Sequence, residues 1–499
     1  MLNLSNSFAA LQFKHMSILL FYPDQATAEH YLQDQRFVYL DKDGWWILTE
    51  GKRICVNWKD LKIDFSIETS SVTKVLKEIN TLGPTFSRWS SAGDQLELIK
   101  RELLIYILKI QNGLRKFNIE KVISFTGVSH HLENHAFELA AQEQRVKLIF
   151  LYQEPVGERL LPFVGSVINR EKLNVNLSDT NYREFLDVYI NLMINRSKKD
   201  GALNGNIFKS SVSESFVLSS IKILSQACIR LILSLKKILL NVKPFPNHSN
   251  IGEFSKFNFF SKLRLIYQQR LALGYLEKKS INLKEKKEKE LLKKGPFLLL
   301  PAHFQPEATS FPEGQDLHNY VDIALYIRKK GYKKDIYFKE HTSNFMYTAS
   351  IIGDTRVGIF RSKKFYENLE EIGCKFISKD YYLSSNPQDV EWYVPVTITG
   401  SIAIERSLSG LHTLYTGHPW WKGLPGTIDL SEISDLSKLE KKWIIHDPII
   451  AEEAYKFLYE SLSFKTLTNG PGIGNGLPVK DRNDFSSFIE QLEILIKSL

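Results

Sequence analysis

Short apolar runs alternate with longer amphipathic stretches along this chain, and in its second half each run leads into a polar cluster. Phe297–Leu300, Asp335–Phe338 and Tyr393–Ile398 read as strands, being short, rich in aliphatic and aromatic residues, and bounded by polar or turn residues. Val357–Phe360 and Thr413–Tyr415 read as further strands. His318–Lys330, Ser362–Ile372 and Ile402–Leu411 carry helical periodicity between them. Strand, loop and helix in this alternation predict a parallel, doubly wound α/β sheet.

The first half shows a weaker version of the same rhythm. Phe37–Leu40, Trp45–Thr49 and Arg53–Asn57 predict strands, with Asp41-Lys-Asp-Gly44 as a hairpin turn between the first two. Asp94–Ile110 predicts a helix ending before Asn112-Gly113. Lys121–Phe125, Leu132–Gln144 and Val146–Tyr152 then form a strand, a helix and a strand: one βαβ unit with parallel strands. The expected architecture is two Rossmann-like doubly wound domains facing a cleft, with a helical connecting segment and a helical C-terminal tail. The boundaries are an N-terminal α/β domain at 1–195, a helical linker at 196–295, a C-terminal α/β domain at 296–430 and the tail at 431–499.

The linker has its own signature. Asn195–Asn206 is polar and glycine-containing, a surface loop. Phe216–Val242 is strongly apolar but is interrupted by Lys222, Arg230, Lys236 and Lys237, which argues against a membrane span. It reads either as a helix buried between domains or as a basic amphipathic helix on a membrane surface. Lys284–Lys294 mixes Lys with Glu and reads as a solvated face or linker. Gly470–Gly476 reads as a loop.

A length of 499 residues exceeds one ordinary core. The three cysteines, Cys55, Cys228 and Cys374, lie far apart, so a disulfide framework is not expected and a reducing compartment is. Met1–Ala10 lacks a basic start and the run Ile18–Tyr22 is too short for a leader, so a cytoplasmic location is expected. The net charge of +9 suits a partner carrying phosphates or an anionic membrane. Nucleic acid is not expected, since no zinc knuckle, RNA-recognition signature or helix-turn-helix appears.

In a parallel sheet the carboxyl ends of the strands form one rim, where ligands bind. The clusters on that rim are His303-Phe-Gln-Pro-Glu307, Lys339-Glu-His341, Thr399-Gly-Ser401 and Glu405. Thr399, Gly400 and Ser401 precede a predicted helix, where hydroxyls and N–H groups favour a phosphate; the alternative is an ordinary helix cap. Glu405 can accept from ribose hydroxyls or complete a capping box. Lys339 and His341 can meet anionic charge, or belong to a solvated charged cluster. Gln305 can bond a base or sugar, and Glu307 can accept from hydroxyls or pair with a cation. In the first half, Glu154 and the pair His130-His131 stand at neighbouring strand ends. Glu154 there suits a general base or nucleophile toward an anomeric carbon.

Taken together, Leu298-Leu-Leu-Pro-Ala-His-Phe-Gln-Pro-Glu-Ala-Thr309, Lys339-Glu-His341, Thr397-Ile-Thr-Gly-Ser-Ile-Ala-Ile-Glu405 and Gly417-His-Pro-Trp-Trp-Lys-Gly423 resemble bacterial surface-polysaccharide glycosyltransferases of the GT-B architecture. The pattern is similar to that of capsule and O-antigen Kdo transferases and bacterial sialyltransferases, over roughly residues 120–160 and 296–425. The resemblance implies a CMP-activated donor, with Kdo or a related keto-sugar acid, and a lipid-linked or growing glycan as acceptor in capsule or lipopolysaccharide synthesis. It implies that His341, Thr399 and Ser401 hold the CMP phosphate; His303, Gln305, Glu307, Lys339, Gly400 and Glu405 are the further donor-site candidates read from the rim itself. Glu154 and His131 would be the catalytic residues, with no catalytic metal and no resident cofactor. The basic surface and apolar helix would bring the enzyme to the inner membrane. Two departures stand out: Thr342 follows His341 where the family usually has Pro, and Gln153-Glu154-Pro155 stands where the family has an acidic-Asp-Gly motif. Rival expectations are a UDP- or GDP-sugar donor on the same fold, and a non-catalytic assembly or export factor.

Overall fold

The computed structural model describes residues 17–21, 25–41, 44–49, 51–57, 61, 73, 75–77, 96–125, 132–153, 159–165, 170–173, 259–281, 295–303, 313–341, 361–378, 392–437, 439, 441–463, 467–468 and 482–499. The expectations for 195–206, 216–242, 284–294, 357–360 and 470–476 lie outside these residues.

The chain forms a mixed α/β structure with two sheets. The first is built from β1 (Ser17–Phe21), α1 (Gln25–Tyr31), β2 (Phe37–Leu40), β3 (Gly44–Thr49), β4 (Lys52–Asn57), α2 (Leu96–Lys116), β5 (Ile119–Ser124), α3 (Leu132–Glu143), β6 (Lys147–Gln153), β7 (Arg159–Gly165) and β8 (Arg170–Lys172). Strands β2, β1, β5 and β6 are parallel neighbours in that order. The hairpin strands β3 and β4 extend one side, and β7 and β8 extend the other antiparallel. The expected βαβ unit is present as β5-α3-β6.

Local chemistry explains several of these elements. Asp41 is committed to the β2–β3 hairpin: its carboxylate accepts from Gly44 N at 3.1 Å, Trp46 Nε1 at 3.2 Å and Tyr39 OH at 2.6 Å. Gly44, at φ +148°, supplies a backbone that other residues resist. The run Ile18–Tyr22, read only as too short for a leader, contributes the central strand β1.

Helix α2 does not stop at Asn112-Gly113 but continues to Lys116. A Cβ at Gly113 would lie 2.3 Å from the buried Trp45 ring, so the glycine is there for the close approach of helix and indole. The turn out of the helix comes at Asn118, with φ +49°.

The second sheet follows α4 (Phe259–Lys279). Its elements are β9 (Phe297–Pro301), α5 (Tyr320–Lys329), β10 (Ile336–Lys339), α6 (Lys363–Glu371), β11 (Cys374–Ile377), β12 (Tyr393–Thr397), α7 (Ile402–Leu408), β13 (Thr413–Tyr415) and β14 (Thr427–Asp429). The strand order is β11-β10-β9-β12-β13-β14, and every pair is parallel. Leu298, Leu300, Ile336, Phe338, Val394 and Val396 pack with Tyr320, Ile323 and Tyr366 in one buried cluster. Asn319 and Ser362 cap α5 and α6 by accepting from Val321 N and Phe365 N. Strand β11 was not anticipated. Lys375 interrupts its apolar run, pointing outward to pair with Asp335 at 2.6 Å. Helix α7 ends earlier than expected because Gly410, at φ +69°, closes it.

The tail returns to the first sheet. Helix α8 (Pro448–Ser463) packs with α7 and with Phe150, Tyr152, Leu161 and Phe163 of β6 and β7. Strand β15 (Leu467–Thr468) pairs with β7, and α9 (Arg482–Ser498) sets Phe488, Leu492 and Leu495 against Leu20, Phe37 and Ile123. The two sheets therefore share buried apolar surface, the dominant favourable term in such contacts. Among the described residues no helix is long and apolar enough to cross a membrane.

Candidate functional site

The carboxyl ends of β10, β9 and β12 are consecutive on one edge of the second sheet. Lys339 pairs with Pro301 in register, and Pro395 with Leu299. Pairing continues beyond the strands, through Ala302 N to Lys339 O at 2.8 Å, Thr416 N to Thr397 O at 3.0 Å and Gly417 N to Ile398 O at 3.1 Å. His341, His303 and Thr399–Ser401 thus share a rim on adjacent strands. The outer two are separated by about two strand spacings, roughly 9–10 Å.

His303 is stitched into the middle of that rim. Its backbone N–H donates to Tyr320 OH at 2.9 Å, and its carbonyl accepts from Arg361 Nη2 at 3.3 Å. Its Nε2 faces two donors, the Thr397 hydroxyl at 2.9 Å and Thr399 N–H at 3.4 Å. Thr397 Oγ1 accepts in turn from Gly400 N–H at 3.1 Å, which leaves its own hydrogen for His303. An accepting Nε2 places the ring proton on Nδ1, so His303 is a neutral Nδ1–H donor.

Burial first, then repulsion from His341 and Arg361, lowers the His303 pKa to about 3. The unfolded chain takes up a proton near 6.5 and the folded chain does not until about 3. Stability therefore falls as the pH is lowered through this window, with a slope from this residue of at most about 1.4 kcal/mol per pH unit. His303→Gln retains an acceptor for Thr397 and is expected to flatten that slope in denaturant unfolding between pH 7 and pH 4. Parallel curves for the two proteins contradict a neutral His303.

Neither Lys339 nor Glu340 lies on a solvated face: both are buried. Glu340 accepts from Arg361 Nε at 2.5 Å, Tyr366 OH at 2.7 Å and His341 N at 2.8 Å. Burial alone would lower the Arg361 pKa; the Glu340 carboxylate and Tyr366 outweigh it and hold the guanidinium charged. Glu340 is therefore the anchor of the His341 turn, a role distinct from ligand contact. His341 itself is half-buried at the rim.

The Thr399–Ser401 turn differs from a simple cap. Ser401 has helical dihedrals and makes no side-chain capping bond; its hydroxyl donates to Glu405 Oε1 at 3.3 Å. Gly400 leaves room for protein rather than for a ligand. A Cβ there would sit 2.5 Å from Thr397 Oγ1 and 3.1 Å from His303 Nε2. The structure thus brings His303, Lys339, His341, Thr399, Gly400, Ser401 and Glu405 onto one edge. Gln305, Glu307, His131 and Glu154 lie outside the described residues. Sequence reading assigned no role to Thr397, though it opens the Thr397–Glu405 motif, nor to Tyr320 and Arg361, and these are the groups that hold His303 in place. A threonine closing a strand reads as a β-former, and nothing local marks Arg361 as a partner for residues more than twenty positions away.

No family model matches this sequence, and no curated protein sequence matches it. Among solved structures, Thermosulfurimonas dismutans KpsC, a beta Kdo 2,7 transferase, aligns over 78% of this chain and 89% of that chain, at 10% identity and a TM-score of 0.28. A likeness of that size carries no weight for fold or activity.

Proposed function

We propose that this chain is a GT-B glycosyltransferase that moves a sugar, Kdo or a related keto-sugar acid, from a CMP-activated donor to a lipid-linked or growing glycan in capsule or lipopolysaccharide synthesis. The observation that supports it is the adjacency of the three rim turns, with His303 fixed between His341 and Thr399–Ser401. An anion seated over His303 meets the Nδ1–H donor, an imidazole on one side and the Thr399 hydroxyl on the other, with Ser401 joining when its hydroxyl turns from Glu405. Such preorganised donors stabilise charge without reorganising when it develops. Lys339 adds positive charge next to this edge, and Glu405, hydrogen-bonded to Ser401, is the acceptor this reading assigns to the ribose hydroxyls. In this reading Glu154 supplies the carboxylate for the sugar transfer, His131 is the second catalytic residue, and the first sheet carries the acceptor.

Calorimetric titration with CMP, UDP and GDP tests the nucleotide class. The proposal expects CMP to bind with the highest affinity and His341→Ala to weaken it about tenfold to a hundredfold, the value of a charge-assisted hydrogen bond. Preference for UDP or GDP favours the rival donors. CMP binding without donor hydrolysis or transfer, and unaffected by Glu154→Gln, favours a non-catalytic factor.

A further inference from the structure

We propose that Arg170, on the first sheet, is a positioning residue for the rim of the second, holding the turn 416–418 against Ile398 and Thr399. Arg170 ends no predicted motif, yet its side chain is 4% exposed and reaches across to the second sheet. Its Nη1 pairs with Glu313 Oε1 at 3.1 Å, and its Nη2 donates to the His418 carbonyl. The guanidinium carbon lies 5.1 Å from the Tyr152 ring centre and 5.0 Å from that of Phe163, so strands β6 and β7 aim it.

The two acceptors are themselves joined, since His418 N donates to Glu313 O at 2.9 Å. Between them and the rim sits Gly417, where a Cβ would come within 2.9 Å of Glu313 O, Ile398 Cγ2 and Thr399 Cγ2. There is no slack in this stack: a shift of His418 is passed to Thr399 by contact, and from Thr399 N–H to His303. Only a planar fork reaches a carboxylate and a carbonyl together; a lysine ammonium on its flexible stem does not reproduce that geometry. The ion pair is buried, so removing one partner leaves the other charge in an apolar setting.

Hydrogen exchange on the full-length protein tests this with Arg170→Lys, Arg170→Met and the neutral double variant Arg170→Met/Glu313→Gln. The expected result is exchange at the Gly417 and His418 amides faster by about tenfold or more in all three, least in Arg170→Lys, with the Leu299 and Leu300 amides unchanged. The double variant is expected to regain the thermal midpoint lost in Arg170→Met without regaining that protection. Wild-type exchange at 417–418 in the folded variants, or full restoration in the double variant, overturns the proposal.

A second arm rests on the functional reading above: CMP affinity in the double variant is expected to fall about tenfold, a loss that Arg170→Lys partly rescues. Wild-type protein that binds no CMP counts against that functional reading, while the exchange data still decide the role of Arg170.

Discussion

Replacing Glu340 with alanine is expected to lower the unfolding free energy by about 3–5 kcal/mol, the cost of breaking a buried charged pair from one side. Glu340 is 2% exposed and Arg361 1%. The carboxylate is also the acceptor for Tyr366 and for the His341 amide. Alanine takes away all of these acceptor sites at once, in a place where water cannot replace them. Glu340→Gln keeps the shape and part of the hydrogen bonding, and is expected to lose less. Glu340→Leu combined with Arg361→Met removes both charges and is expected to recover part of the loss. Denaturant unfolding reads the series. A Glu340→Ala protein within about 1 kcal/mol of wild type, the range of an exposed pair, contradicts the account of the His341 turn.

Gly400→Ala is expected to cost about 1–3 kcal/mol of stability, as overpacking does, and to weaken CMP binding by tenfold or more. The added methyl enters the space taken by Thr397 Oγ1 and His303 Nε2. Either the hydroxyl and the imidazole separate or the turn lifts away from β9, and each outcome misplaces Thr399 and Ser401. A companion Gly400→Ala/Thr397→Ala protein removes the closer of the two contacts and is expected to regain part of the stability without regaining affinity, because Nε2 has then lost its hydroxyl donor. Equal stability of Gly400→Ala and wild type contradicts the tight stack.

Much of this architecture was legible in the sequence because local signals agreed with the fold. The hairpin at Asp41–Gly44, the unit β5-α3-β6 and the strands β9, β10, β12 and β13 follow from apolar runs bounded by turn residues. Their shared rim follows from parallel pairing. What was missed has a common cause: it depends on partners distant in the chain. Gly113 resembles a helix stop until Trp45 is placed against it. Gly400 resembles a ligand-facing glycine until His303 occupies the room it leaves. Lys375 hides strand β11, because an outward charge breaks the apolar run that a buried parallel strand normally shows. Arg170 and Glu313 are 143 residues apart, and only the packing of one sheet on the other joins them.

The central claim is that three neighbouring turns grip one pyrimidine monophosphate. A crystal structure with CMP bound tests it most directly. The expected phosphate lies over His303, with its oxygens within about 3.2 Å of the His341 ring and of a hydroxyl at Thr399 or Ser401 in the same molecule. CMP bound away from this edge, or a phosphate that reaches His341 and neither Thr399 nor Ser401, contradicts it.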